Sequence, residues 1–150
     1  MSLTAILVGS VYGGAEDLAE NTLKKFKQAG VEAKVFSDCS LADILAENPE
    51  HWLVITSTTG QGDVPDNLAN VYFELKNTPN LTGQKYAVIA MGDSSYFDTF
   101  CQAGKDFDEV LAECMATQLQ PKLEIDACET MDAVGAAQTW LDEFIAKLKV

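Results

Sequence analysis

The sequence predicts an α/β fold in which a parallel sheet is covered by helices on both faces. Two observations carry that prediction. Short β-branched runs alternate with longer amphipathic stretches along the whole chain, and the clearest of the short runs, Ala5 to Val8 and Ala87 to Ala90, are continuously apolar. Strands buried on both faces read this way. Alternation of strand and helix implies right-handed crossovers, and hence one three-layer sandwich.

The first strand runs from Leu3 to Gly9. Directly after it come Ser10, Val11, Tyr12, Gly13, Gly14 and Ala15, a turn of small residues, and then a helical pattern from Glu16 to Ala29 that ends at Gly30, a suitable C-cap. Further strands are predicted over Glu32 to Phe36, Trp52 to Thr56, Tyr86 to Met91 and Lys122 to Ile125, which makes five in all. Between them the 3.6-residue period marks helices over Asp66 to Lys76, Ala103 to Met115 and Met131 to Leu148, with a short one near Leu41 to Ala46. Asp66 is a candidate N-cap for its helix.

No repeat, linker or low-complexity tract divides the chain, so residues 1–150 are expected to form a single domain. A chain of this length buries about 70% of its unfolded surface, enough for one core. Ten lysines, no arginine and 23 acidic residues give a net charge of −13. That balance repels nucleic acid and anionic membranes and favours a basic protein partner. No apolar run approaches bilayer length and no leader pattern is visible, so a cytoplasmic protein is expected. Cys39, Cys101, Cys114 and Cys128 are widely spaced without a CxxC pair, and His51 is the lone histidine. Free thiols are expected, and no zinc site.

In an open parallel sheet, ligands bind outside the carboxyl ends of the strands. Three loops fall there: Ser10 to Ala15; STTGQGDVPDN, from Ser57 to Asn67; and GDSSYFDTFCQAG, from Gly92 to Gly104. Backbone N–H groups of the first, at a helix N-terminus, form a site for a phosphate-like anion without a cation; the nearest lysines, Lys24 and Lys25, lie well into the helix. Tyr96, Phe97 and Phe100 in the third loop offer rings that can stack on a flat body or simply cover the sheet edge. A phosphorylated receiver domain would need an aspartate where Ser57 stands, and a nucleoside triphosphatase would need GK followed by Ser or Thr after Gly13.

GSVYGGAE, STTGQGD and GDSSY followed by FC, together with the predicted strands, resemble a short-chain flavodoxin. The second loop, TTGQGD with PDN beyond it, is similar to the FMN domains of diflavin reductases. The resemblance extends over essentially the whole chain, including IDA after the last strand and TWLDEF in the final helix. It implies a flavodoxin-like three-layer sandwich, a five-stranded parallel sheet in the order 2-1-3-4-5, and noncovalent FMN. Ser10, Val11, Tyr12, Gly13, Gly14 and Ala15 would surround the phosphate. Thr58, Thr59, Gly60, Gln61 and Gly62 would face the ring near N5, where the Gly60–Gln61 peptide would turn its carbonyl on reduction. Gly92, Asp93, Tyr96 and Cys101 would border the pyrimidine side, Tyr96 stacked on the outer face, with Phe100 in the same set and Cys101 acting through its backbone.

The resemblance further implies an electron carrier rather than a substrate-turnover enzyme. It would shuttle low-potential electrons between a basic flavoprotein reductase and acceptor redox proteins. Asp63, Asp66, Asp93 and Asp98 would hold the reduced ring in a negative field. The alternative is an FMN-dependent quinone or NAD(P)H oxidoreductase, and a weaker one is a flavin-dependent assembly factor or a module acting through protein binding alone. Tyr12 and Ala15 stand where many flavodoxins carry threonines, and Thr59 where many carry a stacking aromatic. The loss of hydroxyl donors implies weaker FMN binding, by about 0.5–1.5 kcal/mol for each.

Overall fold

The computed structural model describes residues 3–10, 14–58, 62–93, 100–130 and 132–149. In chain order the elements are β1 (Leu3–Gly9), α1 (Gly14–Gln28), β2 (Glu32–Phe36), α2 (Leu41–Ala46), β3 (His51–Thr56), α3 (Asp66–Leu75), β4 (Lys85–Gly92), α4 (Gln102–Glu113), β5 (Thr117–Gln118), β6 (Leu123–Asp126) and α5 (Ala133–Leu148). All strand pairings are parallel, in the order β2-β1-β3-β4-β5, with β6 also paired to β4.

The fifth position differs from the sequence reading. Two short segments share it instead of one strand over Lys122 to Ile125. Thr117 and Gln118 lie opposite Lys85 and Tyr86, while Leu123 to Asp126 lie opposite Ile89 to Gly92. Four residues, 119–122, therefore pass only two on β4, Ala87 and Val88. Pro121 sits in this excursion and has no N–H for a ladder. α5 holds the break in place: Trp140 Nε1 donates to the Pro121 carbonyl at 2.9 Å, and Gln120 Nε2 donates to the Trp140 carbonyl, also at 2.9 Å.

Alternate residues of the central strands face opposite layers. Ala5, Leu7, Trp52, Val54, Val88 and Ala90 pack under α2, α3 and α4; Ile6, Val8, Leu53, Ile55, Ala87 and Ile89 pack under α1 and α5. α1 buries Ala15, Leu18, Ala19, Thr22 and Phe26, one stripe at helical spacing, with Glu16 and Asp17 in its first turn and Lys25 and Lys27 in its last, as the helix dipole favours. Lys25 ties α1 to α5 through Gln138 Oε1 at 3.0 Å and Asp142 Oδ1 at 2.7 Å. Ser40 and Asp43 form a reciprocal capping box on α2.

Two helix starts depart from expectation. α1 opens at Gly14, two residues early, so Gly14 and Ala15 belong to its first turn. Asp66 is the first residue of α3 rather than its N-cap; that position falls to Pro65, which has no side-chain oxygen to offer. The four cysteines are free thiols. Among the described residues, no helix is long and apolar enough to cross a membrane.

Candidate functional site

β1, β3, β4 and β6 end at one pole of the sheet in Gly9, Thr56, Gly92 and Asp126. Parallel pairing makes this unavoidable, because every strand delivers its following loop to the same edge. Gly9 and Gly92 are required there for packing. A Cβ on Gly9 would come within 2.6 Å of Thr56 Oγ1, and one on Gly92 within 2.6 Å of the Cys101 backbone nitrogen.

The first loop is pinned where it leaves the sheet. The Ser10 N–H donates to Asn67 Oδ1 at 3.0 Å, and the Ser57 N–H donates to the Gly9 carbonyl at 2.9 Å. Asn67 in turn accepts the Asp38 N–H on its own carbonyl at 2.8 Å, so one α3 residue fixes the loops after β1 and β2. With the Ser10 N–H engaged, amide donors for an anion must come from farther along the loop and from the first turn of α1. Val11, Tyr12 and Gly13 lie outside the described residues. Gly14 is exposed, and a Cβ there would meet nothing nearer than Met91 Cε, at 3.7 Å; Ala15 beside it is fully buried.

The second loop is tethered to α4. The Ala103 N–H donates to Thr58 Oγ1 at 3.2 Å. Gly62, where the loop is next described, has φ of 89°, a left-handed conformation natural to glycine. Thr59, Gly60 and Gln61 lie outside the described residues, as does Tyr96 with the rest of residues 94–99.

The third loop re-enters at Phe100 and Cys101. Phe100 is half-buried against the core under α4, with Lys105 Nζ 5.7 Å from its ring centre. Cys101 is fully buried and has φ of 55° at the start of α4. Its thiol donates to the Ala90 carbonyl at 3.4 Å, which turns the sulfur under the strand. Burial, followed by the negative charge of Glu124, pushes the thiol up to about 12, so it stays protonated at neutral pH. The α4 helix lies hard against β4: a Cβ on Gly104 would stand 2.2 Å from Ala90 Cβ.

Asp93 and the segment after β6 complete the pole. Cys128 Sγ donates to Asp93 Oδ1 at 2.8 Å, the Cys128 N–H to Asp126 Oδ1 at 2.9 Å, and the Ala127 N–H to the Gly92 carbonyl at 2.8 Å. Ser10, Thr58, Gly92, Asp93 and Cys101 are thus gathered at one edge. Sequence reasoning does not single out Asn67 or Cys128. Asn67 does carry a signal, an amide one residue inside a helix that follows a glycine-rich loop; Cys128 carries none.

Comparison with known proteins gives the arrangement its relatives. The flavodoxin family profile matches residues 6–140. Flavodoxin YqcA of Escherichia coli K12 is 38% identical over 148 residues, covering 96% of this chain and 97% of that protein. The sulfite reductase [NADPH] flavoprotein alpha-component of Vibrio cholerae is 36% identical over 148 residues, covering 96% of this chain and 23% of that larger protein. Among solved structures, a cysteine-to-serine variant of a flavodoxin from Pseudomonas aeruginosa superposes with a TM-score of 0.92 at 42% identity, covering 99% of both chains.

Proposed function

Because the chain belongs to the flavodoxin family, we propose that it is an FMN-binding carrier that passes low-potential electrons from a basic flavoprotein reductase to acceptor redox proteins in the cytoplasm. One observation carries this reading: α1 begins at Gly14, five residues after β1 ends at Gly9 at the pole where the strands end, with no lysine in the helix before Lys24. That donor set fits a phosphate monoester held by neutral groups. Amides at the helix start would donate to such an anion, and the positive end of the helix dipole would favour it.

Ser10, Val11, Tyr12, Gly13, Gly14 and Ala15 would enclose the phosphate. Thr58, Thr59, Gly60, Gln61 and Gly62, with Gly92, Asp93, Tyr96, Phe100 and Cys101, would flank the ring. When bound, FMN supplies the one- and two-electron chemistry. The chain's own part is to hold the loops ready. Asn67 fixes Ser10 and Ala103 fixes Thr58, so both loop entrances are attached to helices and less ordering is required on binding. Asp63, Asp66 and Asp93 set a negative field at this pole, which opposes the gain of further negative charge there.

The test is calorimetric titration of the cofactor-free chain with FMN and with riboflavin. One-to-one binding of FMN, tighter than riboflavin, is expected. Absence of any heat with FMN removes the reading, and turnover of NADPH with a quinone by the chain alone replaces the carrier with an enzyme.

A further inference from the structure

Phe73 is a large apolar side chain left on the surface: it sits on α3 and is 66% exposed. Asp66, Asn70 and Phe73 follow one another at helical spacing along one face of α3. Across from them runs the loop after β2, held there by the Asp38 N–H on the Asn67 carbonyl. Between the two lies an open groove of about 460 Å³, lined by Asp38, Cys39, Asp66, Asn67, Asn70 and Phe73. None of these side chains is cationic. Asp38 and Asp66 make the lining acidic; the Cys39 thiol is pushed upward by burial first, with the charges of Asp43, Asp38 and Glu74 adding to it.

We propose that this groove receives an arginine side chain from a basic redox partner, its guanidinium lying over the Phe73 ring and pairing with Asp38 and Asp66. The assignment rests on the carrier reading for the identity of the partner. The groove's chemistry selects the occupant. A planar guanidinium stacks on an aromatic face while donating in its own plane to carboxylates, which a compact, strongly hydrated ammonium does not match. A second copy of this chain is a poor occupant, because it carries no arginine and a net charge of −13. Placement also suits electron transfer. Asn67 lines the groove and also holds Ser10, so a partner seated here touches the pole where the strands end.

The experiment is an amide NMR titration of the full chain with acetyl-arginine amide, with acetyl-lysine amide and the uncharged acetyl-citrulline amide as comparisons. Saturable shifts at Asp38, Cys39, Asn70 and Phe73 are expected with arginine and not with citrulline. Phe73→Ala should weaken the arginine affinity about two- to fivefold, and Asp38→Asn should weaken it as well. Both variants should fold: Phe73 is exposed, and asparagine tolerates the φ of 51° at position 38. Shifts spread over Asp106, Glu109 and Glu113 of α4, groove shifts that neither variant alters, equal response to lysine or citrulline, or no response overturn the proposal. The titration needs no flavin, so failure of FMN to bind would sink the carrier reading and leave the groove result standing.

Discussion

Thr58 caps a helix that begins 44 residues after it: its hydroxyl accepts the N–H of Ala103, the second residue of α4. The residue that precedes α4, Cys101, makes no side-chain cap of its own. Thr58→Val keeps the shape and leaves that N–H without its acceptor. The cost expected is about 0.5–2 kcal/mol, the range for a lost cap. Urea unfolding of Thr58→Val and Thr58→Ser checks it, since serine keeps the hydroxyl and should recover most of the loss. Equal midpoints for valine and the parent would show that the contact contributes nothing.

Gly104 sits where α4 packs closely on β4. A methyl group there would stand 2.2 Å from Ala90 Cβ and 2.9 Å from Ala90 Cα. Neither is the yielding end of a flexible side chain, so the helix must lift. Gly104→Ala should destabilise by about 1–3 kcal/mol, the usual cost of overpacking. Adding Ala90→Gly removes the nearer clash and keeps the 2.9 Å one, so the double variant should recover part of the loss and not all of it. Thermal unfolding of the two single variants and the double variant reads this directly.

The strands and the pole they share are legible in sequence because buried parallel strands are continuously apolar, and a parallel arrangement puts all their following loops on one side. Ala5 to Val8 and Ala87 to Ala90 carry that signal unaided. Thr117 and Gln118 do not. They are exposed polar residues whose strand character exists only through pairing with Lys85 and Tyr86, so in sequence the fifth position looks shorter and undivided. The opening of α1 is masked because Gly14 is a poor helix former and no Ser, Thr, Asp or Asn stands immediately before it. Contacts between loops are beyond reach for another reason. Ser10 with Asn67 spans 57 residues and Asp93 with Cys128 spans 35, and periodicity holds no information about which loops meet.

Met115 occupies a position better suited to glycine. At the end of α4 its N–H donates to the Ala112 carbonyl at 3.1 Å and the Ala116 N–H donates to the Leu111 carbonyl at 3.2 Å, a Schellman closure with Met115 at φ of 73°. α1 ends with the same pair of bonds, from Gly30 to Lys27 and from Val31 to Phe26, and there the left-handed residue is glycine. Met115 is 66% exposed, so its side chain contributes little packing to offset the strain. Met115→Gly relieves a left-handed cost of roughly 1–2 kcal/mol and gives back part of it through the greater freedom of glycine in the unfolded chain. A net gain of about 0.5–1 kcal/mol is expected. A higher urea midpoint at unchanged slope confirms it; a lower midpoint would mean that the methionine packs usefully in solution.

His51 makes stability depend on pH in a predictable direction. It begins β3 at 7% exposure, flanked in register by Thr4 on β1 and Lys85 on β4. Its Nδ1 and the Thr4 hydroxyl are both buried and reach no protein partner among the described residues. Burial disfavours the imidazolium and lowers the pKa from its ordinary 6.5; Glu50 pulls it upward and the Lys85 charge lowers it further. The folded state therefore binds fewer protons than the unfolded state between the lowered value and 6.5. Stability rises with pH through that window and is lost as pH falls below 6.5, with a slope of at most about 1.4 kcal/mol per pH unit from this one group. Carboxylates titrate lower, and their protonation also relieves the repulsion of a −13 chain, so the parent curve alone mixes these effects. The difference between parent and His51→Leu isolates the histidine. That difference, measured by urea unfolding at pH values from about 7.5 to about 5, should be level above neutrality and should shift in favour of leucine as the pH drops through 6.5. A difference that stays level throughout would mean that His51 is as readily protonated in the folded protein as in the unfolded chain.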